Sequence, residues 1–124
     1  MSARAQPRTI VVVDDQADFL PVVRARLTRG ETLQVIAEAT SGEAALELVP
    51  HLEPTPDAVV LDVEMPGLDG FETARRLRSL APAVRIILTS ASDRSGYGVA
   101  ANGLGAAFLP KRNLTPEAVL HLLD

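Results

Sequence analysis

Five short apolar runs, each followed by a segment of helical period, leave this chain very few ways to fold. The first, Thr9-Ile10-Val11-Val12-Val13, is continuous and largely β-branched, and it stops at Asp14-Asp15. Such a run suits a strand covered on both faces. Further strands are predicted at residues 33–37, at Ala58–Asp62, at residues 84–90 and at residues 106–109. Between the first two, Phe19, Leu20, Val23 and Leu27 fall on one face of a helix over residues 18–29, with Pro21 tolerated in its first turn and Gly30 as a stop. Ser41 caps a second helix that carries Ala44, Ala45 and Leu48 inward and ends at Pro50. Residues 51–56 are a loop. A third helix opens at Asp69 or Gly70 and runs to Leu80, with Phe71, Ala74, Leu77 and Leu80 inward and Arg75, Arg76 and Arg78 outside. Residues 92–105 should be helical by the alternation, yet Gly96, Gly98, Gly103 and Gly105 allow only a short or mobile helix. Thr115-Pro116-Glu117 starts the last helix, with threonine as cap and proline at the first helical position.

Strict alternation of strand and helix implies a parallel sheet with right-handed crossovers and helices on both faces. Sheets of this kind bind ligands at the carboxyl ends of their strands, where the strand order reverses. The polar residues there are Asp14 and Asp15, Asp62, Thr89 and Ser90, and Lys111. The rest of the chain narrows the chemistry. At 124 residues and 47% hydrophobic, it is one domain with a sizeable core. Its net charge of −4 offers no basic surface for a nucleic-acid backbone. The absence of cysteine removes disulfides and thiolate metal sites. No leader and no membrane-length apolar run is seen, so a cytoplasmic location is expected. Residues 1–8 read as a flexible tail and residues 9–124 as the single domain. Lys111 is the only lysine in a chain that otherwise uses arginine.

Three carboxylates on one rim repel, so either one holds a proton or a cation sits among them. A hard divalent ion bound by few protein ligands and several waters describes Mg²⁺, with Mn²⁺ as an alternative. Mg²⁺, an ammonium and a hydroxyl around one carboxylate are what an incoming phosphoryl group requires. The cations neutralise its oxygens, and Asp62 can attack in line to give an aspartyl phosphate.

The set Val-Asp14-Asp15, Leu-Asp62-Val-Glu-Met-Pro66-Gly, Leu-Thr-Ser90 and Phe-Leu-Pro-Lys111 resembles the receiver domain of bacterial two-component response regulators, in particular those of the DNA-binding type. The resemblance runs from about Thr9 to the end. It implies a flavodoxin-like α/β fold, a (βα)5 domain with strand order 2-1-3-4-5, and Mg²⁺-dependent phosphotransfer from a histidine kinase onto Asp62. It implies Asp15 and Asp62 as metal ligands with the backbone carbonyl of Glu64, Asp14 in support, and Lys111 paired to the phosphoryl group. Phe108 would be the aromatic switch residue, acting by packing alone because it lacks a hydroxyl. The chain would catalyse only its own phosphorylation and slow dephosphorylation.

Two hydroxyls compete for the switch position. Counting forward from Asp62 through Arg85 reaches Ser90, whereas counting back from Lys111 reaches Thr89. Adjacent strand residues face opposite ways, so only one can serve. Ser90 is chosen, because the backward count crosses the glycine-rich segment. The family commonly places proline after its lysine; here Arg112 follows Lys111 and Pro110 precedes it. An output domain, fused or separate, and a phosphorylation-dependent homodimer are implied partners. The rival readings are a degenerate receiver that acts as an interaction module and a small Mg²⁺-dependent phosphohydrolase. His51 and His121 receive no role.

Overall fold

A computed structural model describes residues 6–92, 94 and 96–124. The chain alternates β1 (Arg8–Val13), α1 (Leu20–Leu27), β2 (Leu33–Ala39), α2 (Gly42–Leu48), β3 (Ala58–Asp62), α3 (Gly70–Leu80), β4 (Arg85–Ser90), α4 (Tyr97–Gly103), β5 (Ala107–Pro110) and α5 (Pro116–Leu123). Short 3-10 turns follow α2 at Val49–His51 and β5 at Lys111–Asn113. The five strands pair in parallel in the order β2-β1-β3-β4-β5, the flavodoxin-like arrangement expected. Most of residues 1–8, read as a tail, lie outside the described residues, and β1 already includes Arg8, paired to Leu33.

The period-two alternation of each strand builds two cores. Val11, Val13, Val59, Leu61, Ile86 and Leu88 point to one face and pack with Ala45 of α2, Val49 just after it, Ala74 and Leu77 of α3, and Ala101 of α4. Ile10, Val12, Ala58, Val60 and Ile87 point to the other and pack with Leu20, Val23 and Leu27 of α1 and Val119 and Leu123 of α5. Each buried aliphatic side chain contributes about 1.5–3 kcal/mol of transfer free energy, so the central strands β1 and β3 are fixed from both sides.

Caps set most of the helix starts. Ser41 accepts from the Ala44 N–H, Asp69 from the Glu72 N–H and Thr115 from the Ala118 N–H, each closing one open backbone donor. Two residues expected inward lie outside. Ala44 is exposed because the Ser41 cap turns the first helical turn so that Gly42, Ala45 and Val49 form the inner stripe. Leu80 is 54% exposed, since it is the last residue of α3, before the chain turns at Ala81 toward β4. α1 starts at Leu20, later than expected, without a side-chain cap at Phe19. α4 is short, as its glycines predict. The strand order reverses between β1 and β3, so the carboxyl ends of those two strands open onto one crevice.

Candidate functional site

Asp14 leaves the end of β1 and Asp62 is the last residue of β3; both are buried. With the half-exposed Asp15 they place three carboxylate oxygens within 4.8 Å of one another. Asp14 Oδ1 accepts from the Gln16 N–H at 2.9 Å and Asp62 Oδ1 from the Glu64 N–H at 3.1 Å. These backbone bonds hold one oxygen of each carboxylate. The other oxygens face Lys111, whose Nζ lies 2.8 Å from Asp14 Oδ2 and 3.5 Å from Asp62 Oδ2. The ammonium also sits 4.3 Å above the centre of the Phe19 ring, a cation–π contact that orients it without adding an acceptor.

The turn after β3 is fixed by a close approach. The Gly70 N–H donates to the Val63 carbonyl at 2.9 Å. A side chain at Gly70 would collide with the Asp62 carbonyl oxygen and come within 2.7 Å of Val63 Cα. Gly67 supplies the left-handed φ of +72° that the same turn needs. The segment from Val63 to Gly70 therefore holds the Asp62 backbone firmly.

Electrostatics at the site are strained in one direction. Burial raises the Asp62 pKa from 3.8 to about 6, against the opposing pull of the Glu64 N–H and the Lys111 charge, with Asp14 adding to the rise. Burial opposes the Lys111 ammonium, but its hydrogen bond to Asp14 and the charges of both aspartates outweigh that and raise its pKa. A site that disfavours its own carboxylate charge in this way accommodates an added cation. Asp15, Gln16, Asp62, Glu64, Ala91 and Lys111 line a pocket of about 170 Å³, suited to a small ion and a phosphoryl group and smaller than the roughly 300–1,000 Å³ of an organic-ligand site. A larger cavity of about 430 Å³, bordered by Arg8, Glu31 and Asp124, lies at the opposite ends of the strands and shares no residue with these carboxylates.

The two hydroxyls at the end of β4 differ in their partners. Thr89 is the register partner of Asp62, but its Oγ1 is buried and has no hydrogen-bond partner among the described residues. Ser90, also buried, donates from its Oγ to Glu64 Oε1 at 2.8 Å, and Glu64 lines the pocket. Phe108 follows the parity of Ser90 rather than Thr89 and packs edge-on to Tyr97, with centroids 5.5 Å apart. The peptide after Lys111 is not cis, and Arg26 Nη1 donates to the Lys111 carbonyl at 2.8 Å.

Some neighbours were not singled out from the sequence. The Glu64 side chain, considered only for its backbone carbonyl, gathers Ser90, Ser92 and Tyr97 hydroxyls. Those hydrogen bonds hold its pKa below the ordinary carboxylate value, Ser90 contributing most. Tyr97, the single tyrosine of the chain, packs between Phe71 and Phe108. Its isolation within a glycine-rich segment is the only sequence signal that pointed to it. His51 and His121 are exposed and away from the carboxylates.

Comparison with known proteins agrees with this geometry. A family model described as the response regulator receiver domain matches residues 10–123. The nitrate/nitrite response regulator protein NarL of Escherichia coli (strain K12) is 32% identical over 118 residues, covering 95% of this chain and 54% of NarL. The chain thus spans about half the length of that relative. The signal receiver domain of NarL from Mycobacterium tuberculosis superimposes with a TM-score of 0.82 at 35% identity, over 96% of this chain and 98% of that one. The CheX–CheY–BeF3–Mg²⁺ complex from Borrelia burgdorferi matches with a TM-score of 0.78 at 26% identity, over 93% of this chain and 85% of that one. On the family match and these relatives together, the chain belongs to the receiver domains of two-component response regulators.

Proposed function

We propose that the chain accepts a phosphoryl group from a histidine kinase on Asp62 and passes the change to an output domain, fused or separate. The observation that carries this reading is the convergence of Asp14, Asp15 and Asp62 with Lys111 Nζ between two of them. Asp62 Oδ2, the oxygen that the Glu64 N–H does not hold, attacks phosphorus as the phosphohistidine P–N bond breaks, and the electron pair leaves with the imidazole. Mg²⁺, held by Asp15, Asp62 and the Glu64 carbonyl with Asp14 in support, would neutralise the phosphoryl oxygens. Lys111 neutralises another of those oxygens, and Ser90 donates its hydroxyl once the group is attached. Thr89, the register partner of Asp62, is kept as the runner-up donor, since its hydroxyl makes no hydrogen bond among the described residues while that of Ser90 is bonded to Glu64 beside Asp62. Phe108 responds by repacking. A relative with Mg²⁺ and beryllofluoride bound supports the cation and the acceptor chemistry by likeness.

Among the described residues no helix is long and apolar enough to cross a membrane. A cytoplasmic location and a phosphorylation-dependent homodimer belong to the same reading. The carboxylate cluster with Lys111 argues against a degenerate receiver. Incubation with acetyl phosphate and Mg²⁺, followed by intact mass, tests the proposal. Gain of one phosphoryl group, absent in Asp62→Asn, is expected. No gain, or steady turnover of a phosphomonoester, overturns it.

A further inference from the structure

The Glu64 carboxylate is bound by more groups than a half-exposed glutamate requires. Its Oε1 accepts from Ser90 Oγ at 2.8 Å; its Oε2 accepts from Ser92 Oγ and Tyr97 OH, each at 3.1 Å, and lies 3.7 Å from Arg94 Nε. Ser90, on β4, has one hydroxyl proton. While that proton is donated to Glu64, it cannot be donated to a phosphoryl oxygen on Asp62. Tyr97 opens α4, and its ring is held between Phe71 of α3 and Phe108 of β5. One carboxylate therefore joins the hydroxyl beside the acceptor to the first residue of α4.

We propose that Glu64 is a positioning residue that gates the switch: its carboxylate holds Ser90 and Tyr97 together before modification, and a group on Asp62 must take Ser90 from it, loosening Tyr97 and α4. The inference rests on Asp62 being the phosphoacceptor. The incoming group adds roughly −1.5 to −2 charge close to Glu64. It therefore competes for the Ser90 proton and repels the carboxylate at the same time. Phe108 has no hydroxyl, so the polar tip of this aromatic pair belongs to Tyr97, on the neighbouring helix.

The lone tyrosine and the absence of tryptophan make the gate readable in the whole chain. A carboxylate that accepts from a phenol quenches its emission, so Tyr97 fluorescence reports its bond to Glu64. Mg²⁺ and beryllofluoride serve as the probe, with bound fluoride followed by ¹⁹F NMR. Emission is expected to rise as the probe saturates the native chain. Glu64→Gln is expected to start brighter, to respond little, and to bind the probe about tenfold more tightly, as freeing a donor from a charged acceptor implies. Loss of charge alone would also tighten binding, so the change is repeated on a Ser90→Ala background, where the gate has nothing to release. Loss of the tenfold gain there supports the gate, and its persistence overturns it. Bound fluoride with no change in Tyr97 emission also overturns it and leaves the phosphoacceptor reading standing. No bound fluoride at all overturns both.

Discussion

Lys111 is nearer to Asp14 than to the proposed acceptor Asp62, at 2.8 against 3.5 Å. Its charge is needed by the folded chain before any phosphoryl group arrives, because Asp14 and Asp62 are both buried. Removing one partner of such a set leaves an uncompensated buried charge. Lys111→Met is expected to destabilise the Mg²⁺-free chain by about 2–4 kcal/mol in urea unfolding. Mg²⁺ is expected to recover part of that loss by supplying another cation. An unchanged midpoint without Mg²⁺ would show that Lys111 is not the structural counter-ion.

The Asp62 pKa, raised by burial from 3.8 to about 6, makes stability depend on pH in a defined sense. The folded state binds the proton more tightly than the unfolded chain. The stabilisation is therefore complete below about pH 4 and is lost as pH rises through about 6. By pH 7.5 the loss amounts to something on the order of 3 kcal/mol. Asp62→Asn is expected to remove this dependence and to unfold at higher urea than the native chain at pH 7.5 without Mg²⁺. Parallel pH profiles for the two proteins would contradict the assignment.

Gly70 is where α3 touches the backbone of the acceptor. Because the colliding atoms are the Asp62 carbonyl oxygen and Val63 Cα, neither of which is a flexible side-chain end, the chain itself must shift to admit a methyl group. Gly70→Ala is expected to cost about 1–3 kcal/mol, as overpacking does. It is also expected to slow labelling by acetyl phosphate, since Asp62 moves with its backbone. Native labelling kinetics together with native stability would show that the contact is slack.

β3 was legible to the residue and α3 to within one residue at its start, because an apolar run bounded by turn formers and a helix opened near Asp69 each carry their own signals. Alternation yielded a parallel sheet with carboxylates at its strand ends, while the strand order came from the family resemblance. The inward placement of Ala44 and Leu80 failed at helix ends, where periodicity no longer decides which face is covered. The choice between Ser90 and Thr89 could not be read from one segment: the register of β4 against β3, a property of two, pairs Asp62 with Thr89, while Ser90 is the one bonded to Glu64. The hydroxyls around Glu64 were illegible for the same reason: Ser90, Ser92 and Tyr97 come from a distant stretch, and their hydrogen bonds exist only after the sheet has formed.

Arg26 reaches from α1 to the backbone of Lys111, which Arg112 rather than a proline follows. Lys111 begins a 3-10 turn whose backbone is held from α1 by the Arg26 Nη1 bond to the Lys111 carbonyl at 2.8 Å. This bond fixes the start of the Lys111 side chain, while Asp14 and Phe19 fix its end. Arg26→Gln loses the reach and the charge but keeps a helix-compatible side chain. A single charge-assisted hydrogen bond at a half-buried site is worth about 1.5–3 kcal/mol at most. Stability is therefore expected to fall by no more than that. The larger effect is expected in phosphorylation, where a displaced Lys111 slows labelling of Asp62 by roughly tenfold. Arg26→Lys is expected to recover part of the rate, since an ammonium can still donate to the carbonyl, though without the planar fork. Labelling at the native rate in Arg26→Gln would show that Asp14 and Phe19 position Lys111 unaided.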